Sequence, residues 1–211
     1  MKRIDYSLYL VTDRGLSRGR PTIEIVKSAV RGGVTVVQLR EKHITTKEYI
    51  REALEIKGFL NEKNIPLIIN DRIDIAMAVE ADGVHIGQND MPLETAKNIL
   101  KGSMLIGVSV ESVEDAIEAD IAGADYISVS PVFPTPTKTD TAPALGLEGI
   151  ARISALIKKP VIGIGGINKM NCAEVIRSGA NGISVVSAVC SAEDPELAAR
   201  ELKEIIIRAR H

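Results

Sequence analysis

Residues 29–41 read AVRGGVTVVQLRE, and this stretch shows a pattern that recurs three more times along the chain. An amphipathic run ends near a glycine, a short β-branched run follows, and a polar or glycine-rich break closes the phrase. The other copies are AVEADGVHIG (78–87), IAGADYISVSPVF (121–133) and IRSGANGISVVSAV (176–189). Glycine suits the left-handed residue that terminates a helix, and the β-branched run suits a strand. The pattern therefore predicts alternating helices and strands.

Together with the segments between them, these four segments predict eight strands and the fold class. The strands are Leu8–Thr12, Thr35–Leu39, Leu67–Asn70, Gly83–Ile86, Leu105–Val108, Tyr126–Val129, Val161–Ile164 and Ile183–Val186. Helical patterns between them include Lys47–Asn61, Val113–Ala122 and Pro195–Arg208, with Thr46, Asn168 and Asp194 as expected caps. Eight strand–helix units predict an α/β fold, a closed (β/α)8 TIM barrel that forms a single domain over residues 1–211. An open doubly wound sheet is disfavoured because no GxGxxG follows the first strand.

The composition indicates an aliphatic core and argues against two classes of partner. The 211 residues are 45% hydrophobic but only 3% aromatic, as expected of buried parallel strands built from Val, Ile and Leu. The formal net charge of −2 provides no basic field for nucleic acid or anionic lipid. No nucleic-acid or membrane partner is expected, and any anion site must be local.

The cysteines and the first residues predict a cytoplasmic protein. Cys172 and Cys190 form no CxxC pair and no metal-ligand cluster, so both are expected to be reduced and buried. The apolar stretch near the N-terminus is cut by Asp13, and it is too short for a signal peptide or a membrane span. The oligomeric state stays open at this point, a homo-oligomer included.

Polar and glycine residues gather after the predicted strands, which is the active-site face of a parallel barrel. The loops there read QLREK (38–42), NDR (70–72), GQND (87–90), GVS (107–109), GIGGIN (163–168) and VS (186–187). Loops without a shared role would spread such residues over both ends of the barrel. Their asymmetry therefore indicates a site.

Two cations in the second loop are candidates for binding an anion. Gln38, Arg40 and Lys42 alternate along the chain, so they point to one side of an extended backbone, toward the barrel mouth. Converging cations bind multiply charged anions, and arginine does so with two parallel hydrogen bonds. A solvated turn around Glu41 explains the pattern equally well, and parity alone does not choose between them.

The GIGGIN stretch is a candidate phosphate cradle. It is expected to lead directly into a helix capped by Asn168, so that unshielded backbone amides face an anion at the helix N-terminus. Barrels often bind phosphate with the loops after strands seven and eight. The alternative is a turn that glycine merely eases.

Asp71 and Asp90 follow adjacent strands and are candidate ligands of Mg²⁺, which takes carboxylate and phosphate oxygens. Helix capping is the alternative for each of them. His85 lies in mid-strand and is interpreted as a structural histidine with its hydrogen bonds satisfied, and His43 and His211 as surface residues. The sequence contains no Ser/His/Asp or Cys/His pairing that would indicate covalent catalysis.

One long loop has two interpretations. Residues 130–146 read SPVFPTPTKTDTAPALG, with several hydroxyls around a single cation, Lys138. Loops of this length in compact domains are usually either functional or disordered. The stretch is therefore either a linker of low complexity or a loop that closes over an anion.

Six motifs taken in order resemble the thiamine-phosphate synthase family, also called the thiamine-phosphate pyrophosphorylases. They are QLREK, the IND of 69–71, GQND, GVS, PTPTK (134–138) and GIGGI, and the resemblance covers nearly the whole chain. It implies a Mg²⁺-dependent barrel transferase with small-molecule substrates. Such an enzyme joins the pyrimidine of hydroxymethylpyrimidine diphosphate to the nitrogen of thiazole phosphate and releases diphosphate.

By position, the resemblance also implies roles for individual residues. The pyrimidine diphosphate would be held by Gln38, Leu39, Arg40, Glu41, Lys42, Asn70, Ser109 and Lys138. The thiazole phosphate would be held by Thr135, Pro136, Thr137, Gly166, Val186 and Ser187, and Mg²⁺ by Asp71 and Asp90. The expected catalytic residues are Arg40, Lys42, Ser109 and Lys138. The threonine loop would then close over both substrates while Lys138 reaches the diphosphate.

Three other functions would use a similar barrel. One is a relative that only binds thiamine phosphates, which would not need a complete clamp for a diphosphate leaving group, and another is a relative that isomerises the thiazole. An unrelated phosphate-binding barrel, such as an epimerase, would have no reason to place paired aspartates beside two cations. The residues therefore favour the synthase.

Overall fold

Eight parallel strands close into a barrel at the centre of the molecule. The computed structural model describes residues 4–135 and 143–211. The strands are β1 (Leu8–Val11), β2 (Val36–Leu39), β3 (Leu67–Asn70), β4 (Gly83–Ile86), β5 (Leu105–Val110), β6 (Tyr126–Val129), β7 (Val161–Ile164) and β8 (Gly182–Val185). Each strand pairs in parallel with its neighbours in chain order, and β8 closes the ring against β1. The predicted (β/α)8 TIM barrel is confirmed.

Helices surround the barrel and connect its strands. The α-helices among the described residues are α1 (Thr22–Arg31), α2 (Thr46–Lys63), α3 (Ile73–Ala78), α4 (Leu93–Leu100), α5 (Val113–Ile121), α6 (Gly146–Leu156), α7 (Cys172–Arg177), α8 (Ser187–Cys190) and α9 (Pro195–Ala209). A short 3-10 turn at Arg14–Leu16 follows β1. The chain thus crosses from one strand to the next through a helix, as a parallel sheet requires.

The predicted helix caps are right at one position and wrong at two. Asp194 caps α9 by accepting a hydrogen bond from the Leu197 amide at 3.0 Å. The cap of α2 is Thr45 and not Thr46, because Thr45 and Glu48 form a reciprocal capping box. Asn168 does not begin a helix, since α7 starts at Cys172.

Aliphatic side chains pack between the barrel and its helices, whereas tyrosines fill the barrel itself. The inner cluster is Tyr6, Tyr9, Val11, Val36, Ile68, Tyr126 and Ile162. The rings of Tyr6 and Tyr126 lie 5.0 Å apart between centroids. Although the chain has only 4 tyrosines, the inner cluster contains three of them.

The four quoted phrases meet at the amino end of the barrel, where they build the same contact four times. The residue just before each even-numbered strand binds the preceding odd-numbered strand twice, with its backbone amide and with a side-chain oxygen. Asp125, for example, donates its amide to the Ile106 carbonyl and accepts the Ile106 amide on Oδ2, both at 2.8 Å. We call these residues the amino-end ring: Thr35, Asp82, Asp125 and Asn181.

The helix that precedes each ring residue also ends in the same way. The residue two positions before the ring residue has a positive φ, 101° at Gly33 and 105° at Gly179, and only at Glu80 is it not glycine. Glycine adopts this conformation without a steric cost, which is why the phrases share it. The recurring sequence pattern therefore ends a helix and then supplies the residue that binds the preceding strand.

Burial bears out the expectations for cysteine and the two surface histidines. Cys172 and Cys190 are free and buried. His43 and His211 are exposed. Within the ranges that the structure describes, no helix combines the length and the apolar character needed to cross a membrane.

Candidate active site

A cavity of about 150 Å³ opens at the carboxyl ends of the strands. Its walls come from loops and inward-facing residues all around the barrel. The lining residues are Tyr9, Val11, Gln38, Arg40, Lys42, Asn70, Asp71, His85, Gly87, Asp90, Ser109, Ser128, Ser130, Thr135, Ile164, Gly165, Gly166, Ile167, Ser184, Val186 and Ser187. The sequence prediction and the cavity therefore coincide at most of the expected positions.

Arg40 and Lys42 both reach the cavity, and each is paired with a carboxylate. Arg40 Nη1 lies 3.2 Å from Asp13 Oδ2, and Lys42 Nζ binds Asp71 Oδ2. Both cations stay partly exposed, so they can also contact an anion in the cavity. Two partly neutralised cations on one wall form a site suited to a ligand with several negative charges.

Leu39 and Glu41 have the opposite parity, and their side chains do not line the cavity. Leu39 is fully buried in the layer between barrel and helices. The Glu41 carboxylate is buried beside Arg14, with Oε2 at 3.3 Å from Nε. Burial raises the pKa of Glu41, and Glu52 adds to this while Arg14 opposes it. Any ligand contact from these two residues must come from the backbone.

Asp71 and Asp90 bring two carboxylates together at the cavity edge. Burial raises the pKa of Asp71, and the neighbouring Asp90 raises it further, while Lys42 lowers it. Asp90 Oδ2 accepts a hydrogen bond from the Gly87 amide at 2.7 Å, which fixes its position. Asp71 holds a left-handed backbone with a φ of 57°.

This donor set fits a magnesium ion. Close carboxylates repel each other and are stabilised by a cation between them, and oxygen is the ligand atom that Mg²⁺ prefers. No group of three or more candidate metal ligands occurs in residues 4–135 and 143–211. Mg²⁺ does not need such a group, because it keeps waters and takes phosphate oxygens from its substrates.

A hydrogen-bonded chain crosses the barrel interior at the inner wall of the cavity. Gln38 Nε2 donates to Tyr9 Oη at 2.9 Å, and Tyr9 Oη lies 2.8 Å from Tyr126 Oη. His85 Nδ1 lies 3.0 Å from Tyr126 Oη, and His85 Nε2 lies 2.9 Å from Ser109 Oγ. We call these five residues the interior polar chain. His85 is hydrogen-bonded as expected, but it also lines the cavity.

Gly107 of the GVS motif makes room for this chain. Gly107 lies directly opposite Tyr126 in the pairing of β5 with β6. A Cβ at position 107 would lie 2.0 Å from Tyr126 Cζ, so any side chain there would displace the ring. The motif thus combines a space for Tyr126 with a hydroxyl, Ser109, two residues farther along the same inward face.

The glycine loop after β7 lies at the cavity but does not enter a helix directly. Gly166 has a φ of 64°, and a Cβ on it would lie 2.7 Å from the Pro134 carbonyl oxygen. Asn171 holds the loop by donating Nδ2 to the Gly166 carbonyl at 3.0 Å and accepting the Asn168 amide on Oδ1 at 2.8 Å. The expected helix start at Asn168 is wrong because the chain makes an extra turn before α7.

In the loop formed by residues 130–146, Thr135 lines the cavity. Three residues of the sequence prediction, Pro136, Thr137 and Lys138, lie outside the described residues. The assignment of Lys138 to a diphosphate therefore remains a prediction from the sequence.

Several cavity residues escaped the sequence analysis, among them Tyr9, Ser128 and Ser184. Each lies on a strand at inward-facing parity, so extending the parity argument from β2 to every strand could have found them. Ser184 Oγ is buried and has no hydrogen-bond partner in the described part of the chain. Buried polar atoms are normally paired, so this hydroxyl indicates room for a ligand atom.

Comparison with known proteins shows relatives that cover nearly the whole chain. Residues 8–189 match the family model described as thiamine monophosphate synthase. The thiamine-phosphate synthase of Chloroflexus aurantiacus is 48% identical over 203 residues, which cover 96% of this chain and 94% of the relative. The thiamine-phosphate synthase of Syntrophomonas wolfei is 50% identical and covers 97% of this chain and 98% of the relative.

Solved structures show the same likeness in three dimensions. The thiamine phosphate pyrophosphorylase of Pyrococcus furiosus superposes with a TM-score of 0.91 at 42% identity, with 98% of each chain covered. A 3-hexulose-6-phosphate synthase superposes with a TM-score of 0.71 at 16% identity, which is a likeness of fold alone.

Proposed function

The chain belongs to the thiamine monophosphate synthase family, and from this premise we propose how its cavity works. It is a transferase that forms thiamine phosphate. We propose that its substrates are hydroxymethylpyrimidine diphosphate and thiazole phosphate. The observation that carries this proposal is the meeting of Arg40, Lys42, Asp71 and Asp90 in the lining of one cavity.

The proposed reaction exchanges one bond for another. The carbon–oxygen bond between the pyrimidine methylene and the diphosphate breaks, and its electron pair leaves with the diphosphate. The thiazole nitrogen then gives its lone pair to the methylene carbon, which forms the new carbon–nitrogen bond. The nitrogen carries no proton, so the cavity needs no general base.

Arg40 and Lys42 would stabilise the departing diphosphate. Negative charge on the leaving oxygen grows as the bond breaks, and cations fixed in place bind it more strongly then than before. The paired aspartates Asp71 and Asp90 would hold Mg²⁺, which when bound supplies further positive charge beside the diphosphate. A site of this kind favours departure of the anion before attack, through a pyrimidinylmethyl cation.

The other end of the cavity would hold the thiazole phosphate. Gly166, Val186 and Ser187 line the cavity, as does Thr135. We assign the phosphate to these backbone amides and to the Ser187 hydroxyl, following the resemblance to the family. Lys138, which lies outside the described residues, is assigned to the diphosphate by the same resemblance.

A direct assay tests the function. The purified chain is mixed with both substrates and Mg²⁺, and thiamine phosphate and diphosphate are quantified together. Equal amounts of the two products are expected, and neither should form when one substrate is omitted. Conversion of thiazole phosphate alone into an isomer would instead indicate the isomerase alternative, and no product of either kind would overturn the proposal.

We also propose that the chain assembles with a second copy and that it is located in the cytoplasm. Ile121 and Leu156 are 81% and 59% exposed at the ends of the adjacent helices α5 and α6, which supports a contact with a second copy of the chain. Sedimentation should then give a mass above that of one chain. Two free buried cysteines are consistent with a cytoplasmic location, which fractionation would test.

A further inference from the structure

An arginine between β1 and α1 binds the chain segment at the end of α8. Arg20 is half-buried, and its guanidinium donates four hydrogen bonds, all of them to backbone carbonyls. Nε donates to Ser17 at 2.9 Å, Nη1 to Glu193 at 3.2 Å, and Nη2 to Cys190 at 3.0 Å and to Ala192 at 2.8 Å. A guanidinium only donates and a carbonyl only accepts, so the direction of each bond is unambiguous.

Three of these bonds hold the carboxyl end of α8. Cys190 is the last residue of this helix, and Ala192 and Glu193 follow it closely. The last carbonyls of a helix have no partner within the helix, and a cation is favourable beside them. Because α8 has only four residues, it is a single turn that would not be stable by itself. Its position therefore depends on contacts from outside the helix, and Arg20 supplies three of them.

The other end of the same turn borders the cavity. Val186 directly precedes α8 and Ser187 begins it, and both residues line the cavity. The rise of a helix places Ser187 only about 5 Å from Cys190 along the axis. The Cys190 amide also donates to the Val186 carbonyl at 2.8 Å, which joins the two ends of the turn. A shift of Cys190 would therefore be transmitted to the two cavity residues.

We propose that Arg20 is a positioning residue for thiazole phosphate, because it fixes Val186 and Ser187 at the cavity through the carboxyl end of α8. Arg20 does not line the cavity itself, so it acts through the helix. Within the described ranges, none of its hydrogen bonds reaches a residue assigned to the pyrimidine diphosphate. The inference rests on the proposed function for the identity of the ligand, but the hold on α8 does not.

Arg18 provides a matched control in the same loop. Its Nη1 lies 4.0 Å from Glu193 Oε1, and both side chains are largely exposed. Arg18 thus carries the same charge beside the same segment, but it contacts a side chain and not the backbone. An exposed ion pair of this kind contributes little to stability. Arg18→Ala therefore removes a cation from the loop without removing a bond to the end of α8.

The first experiment measures the hold on α8 without substrate. The amides of Cys190 and Ser191 donate to carbonyls at the start of this turn, so their hydrogen exchange reports its opening. In Arg20→Ala both amides should exchange about 10-fold faster or more, because hydrogen bonds from a charged donor are lost. Amides in the middle of α9 should keep their exchange rates. Arg18→Ala should leave all of these rates unchanged.

The second experiment measures what this hold contributes to substrate use. Arg20→Ala should raise the KM for thiazole phosphate about 5- to 20-fold, because the phosphate loses a well-aligned hydrogen bond. The KM for hydroxymethylpyrimidine diphosphate should change less than about 2-fold, the scatter expected of an uninvolved residue. Arg20→Lys keeps the charge but loses the planar fork of donors, so it should show a smaller effect of the same kind. It also serves if Arg20→Ala folds poorly.

The outcomes separate this proposal from the proposed function. Unchanged exchange in Arg20→Ala would show that Arg20 does not hold α8. Faster exchange with an unchanged KM for thiazole phosphate, or with equal rises of both KM values, would overturn the positioning role. The same effects in Arg18→Ala would mean that loop charge, and not the bonds to carbonyls, is responsible. A chain that forms no thiamine phosphate, yet shows the expected exchange, would refute the proposed function and leave the hold on α8 intact.

Discussion

The two ends of this barrel use the same eight strands in opposite ways. At the amino end, one contact is repeated four times, with Thr35, Asp82, Asp125 and Asn181 in equivalent places. At the carboxyl end, the described parts of the loops differ from one another, and the cavity brings cations, carboxylates and glycines together. Each ring bond satisfies a buried backbone amide, which is a need that every strand shares.

The difference shows what each end is built for. The ring leaves its backbone groups paired, whereas the cavity contains two neighbouring carboxylates and a serine hydroxyl without a partner in the described residues. Asp71 also holds a left-handed backbone. Such features cost stability and occur where ligands compensate them. Changes at the cavity should therefore affect activity, and changes at the ring should affect stability.

The largest expected effect is the loss of activity in Asp71→Asn. An amide is a poor ligand for Mg²⁺, and a metal that stabilises a leaving group contributes several kcal/mol, so kcat/KM should fall about 100-fold or more. Asp74→Asn is the matched control, since Asp74 is exposed and paired with Arg72. Steady-state kinetics with and without chelator measures the effect, and full activity in excess chelator would refute the metal assignment.

The same substitution should not destabilise the metal-free chain. Burial raises the pKa of Asp71. A carboxyl whose pKa is raised in the folded state stabilises the fold at low pH, and this stabilisation disappears as the pH rises through the folded-state pKa. At neutral pH, Asp71→Asn should therefore unfold at the same temperature as the unmodified chain or higher. Thermal unfolding in chelator checks this, and a lower Tm would mean that the carboxylate is structural.

Gly107→Ala should have the second largest effect, on stability and activity together. The new Cβ would overlap the Tyr126 ring, which is packed on all sides, so the free energy of unfolding should fall by about 3 kcal/mol. Gly58→Ala in α2 meets nothing within 4 Å and should stabilise the chain by a few tenths to about 1 kcal/mol. Denaturant unfolding measures the free energy of unfolding of both variants. Equal values would show that the barrel interior accommodates an added methyl group without a loss of stability.

Asp125→Ala should cost stability without affecting the chemistry. It removes the acceptor of the buried Ile106 amide, which is worth about 1–2 kcal/mol at this half-buried position. Asp125→Asn should be nearly neutral, because Asn181 makes the equivalent bond with its amide oxygen. If Asp125→Ala lowered kcat without lowering the free energy of unfolding, the conclusion that the amino end serves stability and the carboxyl end serves activity would be wrong.

Ser184→Ala should have the smallest effect, and only in the presence of substrate. The hydroxyl has no partner to lose, so the free energy of unfolding should change by less than about 0.5 kcal/mol. If the hydroxyl contacts a ligand, the KM of one substrate should rise about 2- to 5-fold. Unchanged KM values for both substrates would contradict the prediction that the Ser184 hydroxyl contacts a ligand.

The sequence predicted the strands well because each is a short apolar run that ends in a polar or glycine-rich loop, and the four even-numbered strands also follow the repeated helix stop. It failed by a few residues at helix starts, where Thr45 and Thr46, or Asn168 and Asn171, offer the same capping chemistry. Local pattern cannot choose between identical side chains. The partner of Tyr9 was also out of reach, because Tyr126 lies 117 residues away in the sequence.

The candidate site was predicted in part. Parity located Gln38, Arg40 and Lys42 on the cavity wall, and it would have located His85 had it been applied to β4. The roles assigned to these residues come from resemblance to a family and remain to be tested by the substitutions above. Leu39 and Glu41 were included by their place in a motif, although alternation turns their side chains away.

The amino-end ring also tells where this chain can be divided or recombined. Its bonds join β1 to β2, β3 to β4, β5 to β6 and β7 to β8, so the modular unit is a pair of strands. A crossover within the exposed stretch 101–103, between β4 and β5, keeps every pair within one fragment. A crossover between β5 and β6 separates Asp125 from Ile106. Chimeras with relatives, or two co-expressed halves, should therefore assemble more stably from the first junction than from the second.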